Sequence, residues 1–383
     1  MVKFLRNFNY LLFFSMIGLM TIGVIAIHSA GNARAELIFH GMWKDTLATS
    51  IFGLVLYFVL AAVDYRKLFD WAAAPAYLGA VVLLIAVLIF GATIYGGRRW
   101  LWFFQPSELS KLCIIMALAQ FGAWLREWGF KGFLVTGAAV GFPMLLILAE
   151  PDLGTTLTLV PAIIVMMFAA KIWRKGLVIG LAAIALVATC VLTAVYEAEK
   201  PGVTPERRAA ILKWTPLKEH QVKRVKVFLF PDSDSLGAGY NLRQAMISIG
   251  SGGFSGKGIG QGETNHLKYL PQSISMNDFI FCVYAEETGF VGSLVLLMLF
   301  GTLCVSGAYV AYSSTDERGG YFAIGVSMLI FAHAYINIAM SIGLVPITGL
   351  PLPFVSSGRT FLLTAIMALG LTQSVAVHRE AIG

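Results

Sequence analysis

Charged residues are scarce in this chain. Asp, Glu, Lys and Arg make up 13% of its 383 residues, against about 25% in an average soluble domain. Hydrophobic residues make up 58%, and apolar runs of about 20 residues recur along the chain. This composition excludes an ordinary soluble domain and predicts a polytopic helical membrane protein. The apolar runs are unbroken rather than alternating, which excludes a transmembrane β-barrel.

Cysteine is also rare, and no motif for a metal or a nucleotide is complete. Cys113, Cys190, Cys282 and Cys304 show neither CxxC nor metal-ligand spacing, so we expect packed free thiols. Around Lys257 a nucleotide-binding loop is excluded, because its GxxxxGK[ST] pattern is not met. The glycine-rich stretch 250–262 is instead interpreted as a tight loop, with an anion-facing nest of N–H groups as the alternative.

The fold class predicted from the apolar runs is an all-α membrane protein of ten transmembrane helices forming one domain, 1–383. The expected spans are 10–27, 44–63, 71–92, 106–124, 133–149, 155–172, 176–196, 288–311, 321–343 and 360–377. A large extracytoplasmic loop, 197–277, separates spans seven and eight. Its mixed basic and apolar residues over 207–228 predict amphipathic helices at the membrane surface.

Positive charge in the short connecting segments sets the expected orientation. Lys and Arg are more frequent in the segments on the side of the termini than in those on the other side. Because cytoplasmic loops are enriched in these residues, both termini are expected in the cytoplasm. The net charge of +7 is therefore attributed to topology and lipid contacts, and no nucleic-acid partner is expected.

Acidic residues gather where the long loop enters span eight, at Asp278, Glu286 and Glu287. A single helix from Asp278 to Tyr309 would be about 48 Å long, too long for a hydrocarbon core of about 30 Å. The helix is therefore expected either to project outward or to break at Gly289. For Asp278 two interpretations remain open, a helix N-cap or a functional acid.

Two other outer segments present charged groups. QPSELSK places Glu108 and Lys111 on one helix face at i and i+3, either as an ion pair or as a functional pair. The EPDLGT turn contains Glu150 and Asp152. These acids either stabilise the turn itself or act as ligands.

Basic residues also lie in the outer segments, with a polar pair deeper in the membrane. Arg98 and Arg99 precede span four, and Arg359 precedes span ten. Near the middle of span nine, His333 and Asn337 favour interhelical hydrogen bonding over a proton or substrate relay.

Five ordered blocks resemble the signatures of the SEDS family, the shape, elongation, division and sporulation proteins. The blocks are QPSELSKL, EPDLGTTL, GYNLRQAMISIGSGGFSGKGIG, DFIFCVYAEETGFVGS and GLPLPFVSSG. The resemblance spans nearly the whole chain and is strongest to the rod-shape members, with the division members as the alternative. It implies a peptidoglycan glycosyltransferase that polymerises lipid II and works with a class B penicillin-binding protein and other elongation-complex membrane proteins in the bacterial inner membrane.

The resemblance also implies roles for single residues. It places the essential aspartate at Asp278, which we interpret as the base that deprotonates an acceptor sugar hydroxyl. Candidates for substrate binding are Lys111, Glu108, Asp152, Arg98, Arg99, Glu286 and Arg359. Glu108 and Asp152 are also the candidate ligands of a divalent cation, Mg²⁺ or Mn²⁺. The alternative functions are a lipid II flippase and a non-catalytic scaffold for a membrane-anchored synthase.

Overall fold

The computed structural model describes residues 2–32, 41–94, 97–101, 104–150, 152–200, 202–215, 217, 219–234, 237–263 and 271–379. Its helices are α1 Val2–Asn7, α2 Tyr10–Asn32, α3 Met42–Ala62, α4 Tyr65–Phe90, α5 Pro106–Glu127, α6 Phe130–Ala149, α7 Leu153–Ala169, α8 Arg174–Ala198, α9 Pro205–Leu212, α10 Glu219–Leu229, α11 Ala238–Ser251, α12 Gln272–Asn277, α13 Ile280–Tyr312, α14 Glu317–Ser341 and α15 Arg359–Val377. A short hairpin, β1 Ala92–Ile94 and β2 Gly97–Trp100, precedes α5.

The predicted all-α membrane fold is confirmed. Among the described residues, nine helices are long and apolar enough to cross a membrane, and the shorter apolar helix α7 makes a tenth. Each corresponds to one of the ten predicted spans. The chain between α8 and α13 forms the short helices α9 to α12, where the sequence predicted amphipathic helices in the long loop.

The bundle is organised around α14 and α15. Helix α14 packs against α13, α7 and α5, and α15 packs against α3. In the most apolar 18-residue segment of α15, 89% of the segment is buried inside the bundle, whereas in the corresponding segment of α8 only 6% is buried. Helix α8 therefore lies at the periphery, and residues on α14 and α15 are the ones that other helices hold in place.

Helix α13 breaks at Gly289, as one of the two sequence alternatives required. Gly289 has φ +66° and ψ −159°, a conformation that a residue with a Cβ adopts only with strain. A Cβ there would also lie 2.3 Å from the backbone nitrogen of Gly256. The amides of Lys257 and Gly258 donate to the carbonyls of Glu286 and Glu287 beside the break. The glycine-rich stretch is thus a tight loop that is hydrogen-bonded to α13 at the kink.

Candidate functional site

Asp278 lies in the turn between α12 and α13, at one end of the bundle. The residue at the N-cap of α13 is Phe279, and no side chain caps the helix, so the interpretation of Asp278 as an N-cap is wrong. The reason is the separate helix α12, which ends at Asn277 and turns the chain before α13 starts. The Asp278 side chain is therefore not required for the start of α13.

The backbone at Asp278 is tied to the loop between α14 and α15. The side-chain amide of Asn337 donates to the carbonyl of Asp278 over 2.9 Å and to that of Leu350 over 2.6 Å. Next to it, Ser356 Oγ donates to the carbonyl of Asn277 over 2.6 Å. Asn337 is fully buried on the central helix α14, so these bonds fix the position of Asp278 relative to the bundle core.

Two guanidinium groups face the Asp278 carboxylate. Burial raises the pKa of Asp278 to about 6, and the charges of Arg224 and Arg99 oppose this rise. Within the described part of the chain this carboxylate accepts no hydrogen bond. A carboxylate is suited to accept a proton when its pKa lies near neutrality and its oxygens accept no hydrogen bond from the protein.

Gly349 lies beside both Asp278 and Arg224. Its φ of +72° is in the left-handed region, and a Cβ at this position would lie 3.5 Å from Asp278 Oδ2 and 3.8 Å from Nη1 and Nη2 of Arg224. The guanidinium is held there because its Nη1 donates to the carbonyls of Ile347 and Thr348 over 3.3 and 2.7 Å. The missing side chain of Gly349 leaves space between Asp278 and Arg224.

Arg99 connects this acid to the turn that precedes α7. Arg99 Nε donates to the carbonyl of Glu150 over 3.2 Å. Burial and the charge of Asp152 raise the pKa of Glu150 to about 8, and Arg99 opposes the rise. Glu150 is fully buried and neither of its carboxyl oxygens has a hydrogen-bond partner. At neutral pH Glu150 therefore mostly carries its proton and adds little negative charge to the site.

Asp152 caps α7, as the turn interpretation predicted. Its Oδ1 accepts from the amide of Thr155 over 3.1 Å, and its Oδ2 accepts from Thr155 Oγ1 over 2.8 Å. Gln105 Nε2, just before α5, also donates to Oδ2 over 3.3 Å. These bonds draw the starts of α5 and α7 together at the Asp278 end of the bundle.

Glu108 and Lys111 form the predicted ion pair, with Nζ and Oε2 2.7 Å apart and both side chains buried. Lys111 Nζ also lies 2.9 Å from Nε2 of His333 and 5.0 Å from the centre of the Phe361 ring. The His333 contact confirms the predicted interhelical hydrogen bonding of span nine. The three polar groups line a small cavity between α5, α14 and α15.

The other predicted site residues lie elsewhere. Glu286 accepts from Ser248 Oγ, Lys257 Nζ and the amide of Glu263 at 3.0, 2.9 and 3.0 Å, so it anchors the glycine-rich loop. Arg359 is exposed, and its ion pair is with Asp45 at 3.7 Å. The side chain of Arg98 lies outside the described part of the chain. Within the described ranges, no hydrogen bond or ion pair joins Glu286 or Arg359 to Asp278.

The carboxylates predicted to hold a divalent cation do not fit one in this arrangement. Glu108 is paired with Lys111, and both oxygens of Asp152 accept hydrogen bonds. Over the described ranges, no cluster of three or more His, Cys, Asp or Glu side chains has the geometry of a metal site. Mg²⁺ is usually held by one or two protein carboxylates together with water and substrate phosphates, and here both carboxylates already have other partners.

Sequence reasoning missed Arg224. It lies in a basic and apolar stretch of the long loop, and the amphipathic pattern there was attributed to the membrane surface as a whole. Only the position of α10 over the α14–α15 loop distinguishes Arg224 from the lysines and arginines around it. No local motif marks it.

Fold and site together define a polytopic helical membrane protein with a partly buried, titratable acid between two arginines at one end of its bundle. The model of the cell cycle protein family that comprises FtsW, RodA and SpoVE matches residues 9–381. The chain belongs to this family, which confirms the resemblance seen in the sequence.

Relatives and solved structures agree with this membership. The chain is 34% identical to the peptidoglycan glycosyltransferase MrdB of Escherichia coli K12, over 89% of this chain and 87% of that protein. It matches a chain of a solved peptidoglycan synthase complex with a TM-score of 0.75 and 27% identity, over 96% and 97% of the two chains. The crystal structure of Thermus thermophilus RodA matches with a TM-score of 0.66 and 26% identity, over 97% of each chain.

Proposed function

We propose that this protein is a peptidoglycan glycosyltransferase that polymerises lipid II into β-1,4 glycan strands during cell elongation and shape maintenance. One observation carries the proposal: a titratable carboxylate, Asp278, is held by buried hydrogen bonds beside two guanidinium groups. That arrangement combines a base with countercharges for an anionic leaving group. The relative MrdB bears the name of this activity.

The proposed reaction uses Asp278 as general base. The carboxylate takes the proton of an acceptor sugar hydroxyl while that oxygen forms a bond to the anomeric carbon of the donor. The bond between the anomeric carbon and the pyrophosphate oxygen breaks, and its electron pair leaves with the lipid pyrophosphate. One displacement of this kind inverts an α-linked donor into a β-linked product, and no covalent enzyme intermediate is required.

Cations of the site neutralise the departing pyrophosphate. Arg99 faces Asp278 and is our first candidate for this role. Lys111, Glu108 and Asp152 border the same end of the bundle, and we assign them to the substrate-binding wall. Because the Lys111 charge is already paired with Glu108, this pair contributes shape and hydrogen bonding more than net charge.

Location and partner follow from the same proposal. We place the protein in the bacterial cytoplasmic membrane with both termini inside, which supplies lipid II to Asp278 at the outer face. The similar synthase complex is described as coordinating polymerization and crosslinking. We therefore propose that this protein works with a class B penicillin-binding protein that crosslinks the glycan.

The test is lipid II polymerisation by the purified protein with its penicillin-binding protein, the latter blocked at its transpeptidase site. General bases contribute about 10²- to 10⁴-fold, so Asp278→Asn is expected to lose at least about 100-fold in rate. Asp45→Asn, which changes an exposed acid, serves as the matched control and should retain the wild-type rate. Polymerisation by Asp278→Asn at the wild-type rate would show that Asp278 is not the general base. Absence of polymer from every variant, with lipid II still crossing vesicle membranes, would favour the flippase.

A further inference from the structure

Arg224 projects from a helix whose opposite face is seated on the bundle. Val222 and Val225 of α10 are buried against Val195 of α8. Successive residues turn by about 100° in an α-helix, so Arg224 lies about 200° from Val222. Its guanidinium therefore reaches the other way, to the carbonyls of Ile347 and Thr348. The helix thus presents Arg224 to the site.

The surroundings of Arg224 are those of an incompletely neutralised cation. Burial, and then the like charge of Arg99, lower the pKa of Arg224, while Asp278 and Asp152 oppose this. Nη1 makes both hydrogen bonds of the guanidinium. Within the described residues, Nε and Nη2 donate to no protein acceptor. The Nε and Nη2 donors of Arg224, close to the second positive charge of Arg99, favour an anion in the space beside them.

We propose that Arg224, together with Arg99, binds the diphosphate of the lipid-linked sugar donor, so that α10 forms one wall of the donor site. The inference rests on the proposed glycosyl transfer and deepens it. Asp278 Oδ2 and Arg224 border the same space above Gly349. The acceptor hydroxyl lies at the carboxylate side of that space, and the donor diphosphate lies at the guanidinium side.

The arrangement accounts for both ends of the bond exchange. The acceptor oxygen gives its proton to Asp278 and bonds to the anomeric carbon. The bond from that carbon to the diphosphate oxygen breaks, and the electron pair goes to the diphosphate. Arg224 and Arg99 donate hydrogen bonds to the diphosphate oxygens. These bonds are stronger in the transition state than in the bound donor, because the negative charge on the diphosphate increases there. Arg224 thus acts on the leaving group and not on the acceptor.

Direct binding tests this role without depending on catalysis. The wild type and its variants, in lipid nanodiscs, are titrated with farnesyl diphosphate, farnesyl monophosphate and inorganic pyrophosphate. We expect the wild type to bind the diphosphate at least about tenfold more tightly than the monophosphate, and Arg224→Gln to lose about tenfold or more in diphosphate affinity together with this preference. Inorganic pyrophosphate shows whether the phosphates are recognised without the lipid chain.

Matched variants separate binding from folding. Lys223→Gln removes an exposed charge from the next position of α10 and should bind diphosphate as the wild type does. Arg224→Lys keeps the charge but not the forked donors, so it should bind with intermediate affinity. Arg224→Lys tests the role even where Arg224→Gln fails to fold. Folded Arg224→Gln or Arg224→Lys with wild-type diphosphate affinity would overturn the proposal.

Asp278→Asn distinguishes this inference from the proposed function. It should lose polymerisation and retain diphosphate binding. Diphosphate binding that depends on Arg224 in a wild type without polymerase activity would reject the glycosyltransferase and leave the anion site standing. Polymerisation by the wild type, with diphosphate binding that is independent of Arg224, would reject the anion site alone.

Discussion

Replacing the proposed base should stabilise the folded protein. The pKa of Asp278 rises from 3.8 to about 6 on folding because the carboxylate is buried. The folded state therefore binds this proton more tightly than the unfolded state, and stability from this group is lost as the pH rises from about 4 to about 6. Each pKa unit is worth about 1.4 kcal/mol, so ionised Asp278 costs at most about 3 kcal/mol at pH 7.5 and about 1.5 kcal/mol at pH 5.

Asp278→Asn has no charge to bury and removes this cost. We expect its free energy of unfolding to exceed that of the wild type by up to about 3 kcal/mol at pH 7.5, with about half of that difference at pH 5. The assay is thermal and denaturant unfolding of both proteins in one detergent across this pH range. Asp45→Asn should show no such pH-dependent difference, since Asp45 is exposed. An Asp278→Asn variant that is no more stable than the wild type at pH 7.5 would refute the reasoning.

Three further changes probe the surroundings of the acid. Asn337→Ala removes two hydrogen bonds that hold Asp278 and Leu350; we expect kcat to fall about tenfold with little change in KM, and an unchanged kcat in the folded variant contradicts this. Gly349→Ala strains a residue at φ +72° by about 1–2 kcal/mol and narrows the space beside Asp278, so polymerisation should fall; full activity would show that the space is not used. Glu108→Gln leaves the Lys111 charge buried without its partner, and unfolding experiments should show a loss of about 3–5 kcal/mol, partly recovered when Lys111→Met is added.

The local features of this protein were predictable because they depend on neighbours in the sequence. Apolar runs long enough to cross a bilayer identify spans without knowledge of packing. The spacing of Glu108 and Lys111 places them on one helix face in any structure that keeps the helix, and they pair. The length of the segment after Asp278 required either a projection or a break, and Gly289 is the break.

Family blocks extended the prediction from fold to chemistry. They marked Asp278, Glu108, Lys111 and Asp152, and the structure brings the starts of α5 and α7 together at the Asp278 end. The functional role of each residue stays a prediction until it is tested. The blocks did not mark Arg99 or Arg224, the two arginines that face Asp278.

The sequence by itself thus determined the membrane class, the spans and the short-range pairs, because composition and helical periodicity act over a few turns. Only the tertiary structure decided the neighbours of Asp278. Arg99, Arg224 and Asn337 come from a hairpin, a loop helix and a central span, each more than 50 residues from Asp278 along the chain. Their proximity depends on how the helices pack and where the long loop returns, so the sequence pointed to Arg359 as a candidate and did not point to Arg224. Packing placed Arg224 beside the acid, whereas Arg359 pairs with Asp45.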